Sequence, residues 1–321
     1  MPAASGSMTR LTALAAGSEV PAGDFAFSVH SAFGAAMNLA VAGRRGLVTL
    51  VGADAADYPQ GIRLATRECF DAWPVPVGTR GHREGVALVF DGPDGGELFA
   101  IDLSAAVTAQ RQALPRLDPS DEALREARAV CAAHLDGLQE AKGTDLRLAA
   151  VCGRSSPPTS LGRNLVEAAH ELAGGVGDRN ADAAASAASR LMGLGTGLTP
   201  TGDDFLCGLL AALWCASGEG SPERQFVVEW GTALSARLDS TNAISATFLE
   251  CAIAGSFPGA VSALAAAVAG SHAGHAHEDA REALDGLCAL GHSSGMDIAT
   301  GFLFGLWLRT DEEMRRHAPQ L

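Results

Sequence analysis

The chain has almost no lysine. Lys142 is the only one among 321 residues, and every other basic side chain is arginine or histidine. This excludes a Walker-type phosphate lysine, and any Schiff-base lysine other than Lys142. Lys and Arg total 23 against 37 acidic residues, a formal net charge of −14. No basic stripe is available to neutralise phosphates, so no nucleic-acid partner is expected. No Cys-x-x-Cys pair occurs among the seven dispersed cysteines at 69, 131, 152, 207, 215, 251 and 288. That pattern fits reduced, mostly buried thiols and a cytoplasmic location. The opening MPAASGSMTR lacks the basic-then-apolar order of a secretion signal. The most apolar runs, such as AVSALAAAVAG, fall well short of the ~20 residues that a membrane helix needs. No H-E-x-x-H, G-x-S-x-G or G-x-x-x-x-G-K-[S/T] motif is present. GLGTG at 193–197 is no dinucleotide loop either, because helix-like NADAAASAASRLM precedes it where a strand is required.

With 47% hydrophobic and 19% charged residues, what remains describes a globular protein with a sizeable core. Its first third holds short strand-like runs broken by turns. DFAFSVH (24–30) alternates, RGLVTLVG (45–52) is β-branched, and GVALVFDGPDGGELFAIDL (85–103) reads as a hairpin turning at DGPDGG. WPVPVGTRGHREG (73–85) reads as a loop from its prolines and glycines. The character changes near Pro119, Ser120 and Asp121, which start a helix running to Lys142. Beyond it, helical periodicity predicts helices near 160–173, 180–192, 203–217, 222–238, 243–254, 257–270, 278–290 and 295–309. Periodicity does not decide between strand and helix for LRLAAVCG (146–153). No repeat of fixed period stands out. The expected fold is α+β: a β-rich domain over 1–112, then a larger helical domain over 113–321.

Three segments of the helical part share a style. MGLGTGLTPTGDDFLCGLL (192–210) crowds glycine and threonine in front of two aspartates and an apolar helix. RLDSTNAISATFLECAIAG (237–255) and LGHSSGMDIATGFLFGL (290–306) likewise set small, hydroxyl-bearing residues before apolar helices. The first N–H groups of a helix lack internal partners and carry the positive end of the dipole, so such ends bind phosphate or carboxylate without lysine. Three converging mouths would bind a small anionic substrate or phosphate. The candidate binding residues are Gly195, Gly197, Thr199, Thr201, Gly202, Thr241, Asn242, Ser245, Ser293, Ser294 and Asp297. Asp203 and Asp204 are candidate catalytic groups, able to orient a donor, act as a base or hold Mg2+. Ordinary N-capping is the competing reading, and it is the stronger one for the second and third segments taken singly.

In VHSAFGAAMNLAVAG (29–43), His30 and Asn38 are polar residues in an apolar stretch. His30 is a candidate proton carrier and Asn38 a candidate ligand contact; the competing reading is a pair of satisfied core residues. His272, His275 and His277 have a spacing that a transition metal could use, but their setting favours a solvated loop. Trp214, Trp230 and Trp307 fall on helical runs and read as packing residues.

GLGTGLTPTGDDFLCGLL, STNAISATFLECAIAG and GHSSGMDIATGFLFGL, in that order behind VHSAFGAAMNL and GLVTLVG, resemble the AllH family. The similarity spans most of the chain, roughly 25–308, and the GLTP-x-GDD block is its most specific part. That family includes a subunit of oxamate carbamoyltransferase, an enzyme of anaerobic allantoin breakdown and so of purine catabolism. The resemblance implies a multi-subunit transferase that interconverts oxalurate plus phosphate with oxamate plus carbamoyl phosphate. It also implies partners, among them an FdrA-like subunit. It assigns no catalytic residue, and no metal ligand set is known from it. The S-T-R-T phosphate loop of the familiar carbamoyltransferases is absent here. Two alternatives stay open: a non-catalytic binding or scaffold subunit, and a stand-alone metal-assisted hydrolase or phosphotransferase.

Overall fold

The computed structural model describes residues 10–109, 111, 113–118, 121–270 and 276–310. The chain divides into two compact units, Met1–Arg111 and Gln112–Leu321. The first is β and the second is helical, so the fold is α+β.

The strands of the first unit are β1 (Arg10–Ala16), β2 (Phe25–Phe33), β3 (Ala36–Val41), β4 (Leu47–Val51), β5 (Gly61–Leu64), β6 (Arg80–Glu84), β7 (Ala87–Asp91), β8 (Glu97–Asp102) and β9 (Val107–Thr108). They pair in the order β5-β4-β3-β2-β6-β7-β8-β1-β9, and a further β5–β1 pairing closes β1 to β8 into a barrel. Closure removes the free edges an open sheet would expose. β1 runs parallel to β8 and β4 parallel to β5, while the hairpins between them are antiparallel. The expected 85–103 hairpin is β7–β8, with Phe90 opposite Phe99 and their rings stacked at 4.2 Å. Inside lie Met37, Leu39, Leu50, Ile62, Leu64, Leu88 and Ile101, all fully buried.

One expectation fails in this unit. The stretch 73–85 is not loop throughout, because Arg80–Glu84 forms β6 between β2 and β7. RGHRE lacks the β-branched and aromatic residues that favour strands; its two neighbours impose the extended state.

The helices are α1 (Glu122–Lys142), α2 (Leu148–Val151), α3 (Ser160–Gly177), α4 (Ala181–Leu191), α5 (Thr201–Ala216), α6 (Pro222–Ser235), α7 (Ala243–Ile253), α8 (Gly259–Ala269), α9 (Ala276–Cys288) and α10 (Ser294–Thr310). Local signals start most of them. Asp121, Thr159, Asn180, Ser221 and Asn242 each accept a first-turn N–H at the head of α1, α3, α4, α6 and α7. The undecided 146–153 stretch becomes the short helix α2. α5 is buried nearly all round, from Thr201 to Leu213, which marks it as the central helix of this unit.

α5 and α10 run side by side in the same direction, and glycine lets their backbones touch. A Cβ on Gly208 would lie 1.9 Å from the Ile298 carbonyl oxygen, and one on Gly301 would lie 2.0 Å from that of Phe205. These contacts are reciprocal, and they expose a repeat that the sequence alone did not reveal. GDDFLCGLLAALW (202–214) aligns with GMDIATGFLFGLW (295–307). The alignment pairs Gly202 with Gly295, Asp204 with Asp297, Gly208 with Gly301, Leu210 with Leu303, Leu213 with Leu306 and Trp214 with Trp307. Each copy follows a shorter helix, and the opening glycine sits against that helix's end. A Cβ at Gly202 would meet the Leu191 oxygen at 2.0 Å, and one at Gly295 the Leu287 oxygen at 1.9 Å. The two helix–loop–helix pieces, α4–α5 and α9–α10, thus share a motif and make reciprocal contacts along the α5/α10 seam. The divergence of the loops, GLGTGLTPT against ALGHSS, hides the match from a search for fixed spacing.

Candidate functional site

The loop into α5 shapes one side of the site. Gly195 has φ +131°, a value an L side chain rarely adopts, and a Cβ there would lie 2.5 Å from the Thr201 nitrogen. The turn brings the loop back over the helix start, so the Gly202 N–H donates to the Leu194 carbonyl at 2.9 Å. The Asp203 and Asp204 N–H groups both donate to the Pro200 carbonyl, at 3.0 and 3.2 Å. At α7 the Asn242 side-chain oxygen takes the N–H groups of Ile244 and Ser245, at 3.0 and 3.1 Å. At α10 the Gly295 and Asp297 N–H groups donate to Leu290 and Ser293, each at 3.0 Å. These first-turn donors are occupied by the protein itself, which removes much of what an anion at the three mouths would use.

The carboxylates are the unusual part. Asp203, Asp204 and Asp297 are 1%, 4% and 1% exposed. Asp203 accepts the Gly193 N–H at 3.1 Å and the Thr241 hydroxyl at 2.6 Å. It thus ties its own loop to the approach of α7, an attachment reinforced where the Asn242 amide donates to the Leu198 carbonyl at 3.0 Å. Burial raises the Asp203 pKa, and Thr241, Gly193 and Ser245 oppose the shift. The Ser245 hydroxyl, itself 1% exposed, stands beside this carboxylate as its third polar neighbour, in looser geometry than Thr241 and Gly193.

Asp204 points elsewhere. Burial pushes its pKa up to about 7, the Asp203 charge adds to the shift, and the Ser294 and Thr199 hydroxyls oppose it. Those two hydroxyls bond each other at 2.7 Å, joining the α5 loop to the head of α10. Asp297 is its counterpart in the repeat. Burial raises the Asp297 pKa well above the usual range; the charges of Asp204 and Asp145 add to the rise, while Thr201 and Ser293 oppose it. The arrangement is reciprocal again: Ser294 of one copy attends Asp204, and Thr201 of the other attends Asp297. The Oδ2 atoms of Asp204 and Asp297 are buried without a hydrogen-bond partner. The charged groups acting on both are other carboxylates, not cations. Chemically, these are enclosed carboxyl groups that burial pushes toward the protonated form, each with one oxygen left without a partner, and Asp204 is the one whose proton is exchanged near neutral pH.

Thr199, Thr201, Thr241, Asn242, Ser245, Ser293, Ser294 and Asp297 thus gather around Asp203 and Asp204, along with the turn of Gly195 and Gly202. Gly197 belongs to the same loop, with open space where a Cβ would project. His30 and Asn38 lie in the β unit instead. His30 is exposed on β2 and bonds Ser31 at 3.1 Å. Asn38 is buried on β3; its amide donates to Ser31 at 3.1 Å and its oxygen accepts from Thr49 at 2.9 Å. His272 and His275 lie outside the described residues, and His277 is exposed on α9. Among the described residues no three His, Cys, Asp or Glu side chains converge as metal ligands. Among the same residues no helix is long and apolar enough to cross a membrane. An open groove of about 900 Å3, lined by Arg179, Asn180, Val228 and Thr232 among others, contains none of the expected site residues.

Sequence reasoning overlooked two neighbours of this cluster. Asp145 adds to the charge felt by Asp297. Lys142, at the end of α1, donates to the His292 carbonyl in the loop before α10. No local motif announces either contact, since each joins segments about 150 residues apart in the chain.

The helical unit thus carries enclosed carboxyl groups on two seamed helices. The segment that carries the site, residues 191–306, matches the family model described as oxamate carbamoyltransferase subunit AllH. The match starts at the last residue of α4 and ends within α10, framing Asp203, Asp204 and Asp297 together with the first copy of the repeat's motif and all of the second but Trp307. No curated protein and no solved structure matches the chain.

Proposed function

We propose that the chain is a subunit of a carbamoyltransferase complex of the oxamate carbamoyltransferase kind, and that the enclosed cluster on α5, α7 and α10 is its ligand site. The observation that carries this reading is a coincidence of position. The family match covers residues 191–306, and those residues include all three buried carboxylates and their hydroxyl neighbours. The substrates are small molecules: oxalurate and phosphate in one direction, oxamate and carbamoyl phosphate in the other. A phosphate oxygen attacks the ureido carbonyl of oxalurate, the bond from that carbon to the oxamate nitrogen breaks, and the nitrogen takes up a proton. Asp204, with a pKa of about 7, is suited to deliver that proton and to recover it in reverse. Thr199, Thr201, Ser245, Ser293 and Ser294 serve as hydroxyl partners around the ligand, whereas Asp203 holds the loop that shapes the site. Other subunits, an FdrA-like one among them, complete the enzyme in the cytoplasm, where allantoin breakdown would use it. The seven free thiols fit such a reducing compartment.

The test is Asp204→Asn in the reconstituted complex, assayed for carbamoyl phosphate formed from oxalurate and phosphate. Loss of proton transfer should lower kcat by at least ~100-fold. Asp203→Asn should act mainly through stability and KM. Full turnover by the Asp204 variant would remove the catalytic role and leave a binding or scaffold subunit. That second reading is favoured by one observation, the complete engagement of Asp203 by its own loop and by Thr241.

A further inference from the structure

We propose that residues 195–199 form a strap that opens over the heads of α5 and α10, and that this opening gives the enclosed cluster its access. The inference rests on the reading above that the cluster is the ligand site, and it says how such a site is reached. Asp203, Asp204, Asp297 and Ser245 are no more than 4% exposed, so a ligand reaches them only if part of their surroundings moves.

The surroundings differ in how firmly they are held. α5 and α10 meet backbone to backbone through Gly208 and Gly301, and the approach to α10 is fastened where Lys142 donates to the His292 carbonyl. The base of the strap is fastened as well. The Gly193 N–H donates to Asp203 at 3.1 Å, and the Leu194 carbonyl accepts the Gly202 N–H at 2.9 Å. The next five residues, Gly-Thr-Gly-Leu-Thr, belong to no helix or strand. Thr196, Gly197 and Leu198 are exposed, and the Leu198 side chain, 50% exposed, contributes little burial that opening would lose. Gly195 and Gly197 have φ of +131° and +99°, and glycine passes between such values and ordinary ones at little cost.

Polar ties keep the strap down. The Thr199 and Ser294 hydroxyls, 2.7 Å apart, join it to α10, and the Asn242 amide, donating to the Leu198 carbonyl at 3.0 Å, joins it to α7. Opening exchanges such bonds for bonds to water, at a small net cost. Thr201 lies directly beneath: it is 8% exposed, and a Cβ built on Gly195 would lie 3.0 Å from the Thr201 Cβ. Thr201 attends Asp297, and Thr199 attends Asp204. Lifting one short segment therefore uncovers the neighbours of both carboxylates, while the helices that carry them stay packed.

Thiol labelling of the full chain tests this without any ligand. Thr201→Cys puts a thiol of similar size under the strap. The native Cys131 and Cys215, 0% and 1% exposed in the helical core, report global opening. Labelling by iodoacetamide, read peptide by peptide by mass spectrometry, should be at least ~10-fold faster at position 201 than at these two. In urea below the unfolding transition the rate at position 201 should stay flat while the core thiols speed up, because opening the strap exposes little surface. Adding Thr199→Val, which removes the tie to Ser294, should raise the rate at position 201 severalfold and leave the core thiols unchanged. Circular dichroism checks the fold, and Ser245→Cys, beside Asp203, replaces Thr201→Cys if that variant is unfolded. Equal rates with equal urea dependence at all three thiols would overturn the inference, as would a Thr199→Val change that alters no rate or alters all three alike. Fast labelling at position 201, in a chain whose Asp204→Asn complex keeps full turnover, defeats the functional reading and leaves the strap. Labelling at position 201 only in step with the core thiols, in a chain whose Asp204→Asn complex is inactive, defeats the strap alone.

Discussion

One residue of helix rotation, ~100°, separates Asp203 from Asp204, and it gives them different work. Asp203 turns toward Gly193 and Thr241 and is consumed by them. Asp204 turns toward α10, where it meets Ser294, Thr199 and its counterpart Asp297. The consequence is a dependence of stability on pH. In the unfolded chain Asp204 titrates near 3.8, and in the folded chain near 7. The folded state binds the proton more tightly, so its stabilising effect is complete below 3.8 and is lost as pH rises to about 7. Asp203 and Asp297, also raised, act in the same direction. Groups such as Asp54, held below the usual range by Arg67, act in the opposite direction and only under more acidic conditions. The melting temperature of the ligand-free chain should therefore fall between pH 4 and pH 7.5, reflecting a loss on the order of a few kcal/mol, and Asp204→Asn should flatten the curve. A wild-type melting temperature that rises steadily through this window would refute the assignment.

Glycine spacing decides how the elements pack. Gly208 and Gly301 let α5 and α10 meet backbone to backbone, and Asp204 and Asp297 lie in the first turns of these two helices, where the charge of Asp204 acts on Asp297. Gly208→Ala would drive a methyl group into the Ile298 carbonyl at 1.9 Å. It should cost about 3 kcal/mol or more, because both neighbours are backbone and cannot rotate away. Gly137→Ala is the control: it lies on the exposed side of α1 with nothing within 4 Å of the new Cβ. That change should stabilise the chain by about 0.5–1 kcal/mol. Urea denaturation of both variants measures the contrast, and equal effects would show that the seam is looser than its geometry states. The seam also separates what could be read in the sequence from what could not. α3 to α10 were legible because caps and 3.6-residue periodicity are local. β6 was not, because RGHRE is held extended by β2 and β7. GLTPTGDD stood out because it carries more glycine than any cap requires. Its alignment with GHSSGMD did not, because the two copies share six residues but not their loops.

For the whole molecule, the distribution of apolar contacts is decisive. The buried cluster of the barrel draws on residues between Ala13 and Leu103, and that of the helical unit on residues between Leu117 and Leu306. The family match, the repeat and the carboxylate cluster all fall within the second set. A fragment spanning 112–321 therefore holds every residue of the buried helical cluster among the described residues, and it is long enough to bury a core of its own. Expressed alone, it should show the far-UV circular dichroism of a helical protein and one cooperative thermal transition. Its melting temperature should also fall with rising pH as in the full chain, since Asp203, Asp204 and Asp297 and their hydroxyl neighbours all lie inside it. A fragment that binds hydrophobic dye, lacks near-UV signal and melts without cooperativity would mean that the barrel supplies something the two cores do not reveal. A fragment that folds but has lost the pH dependence would place the origin of that dependence outside the carboxylate cluster.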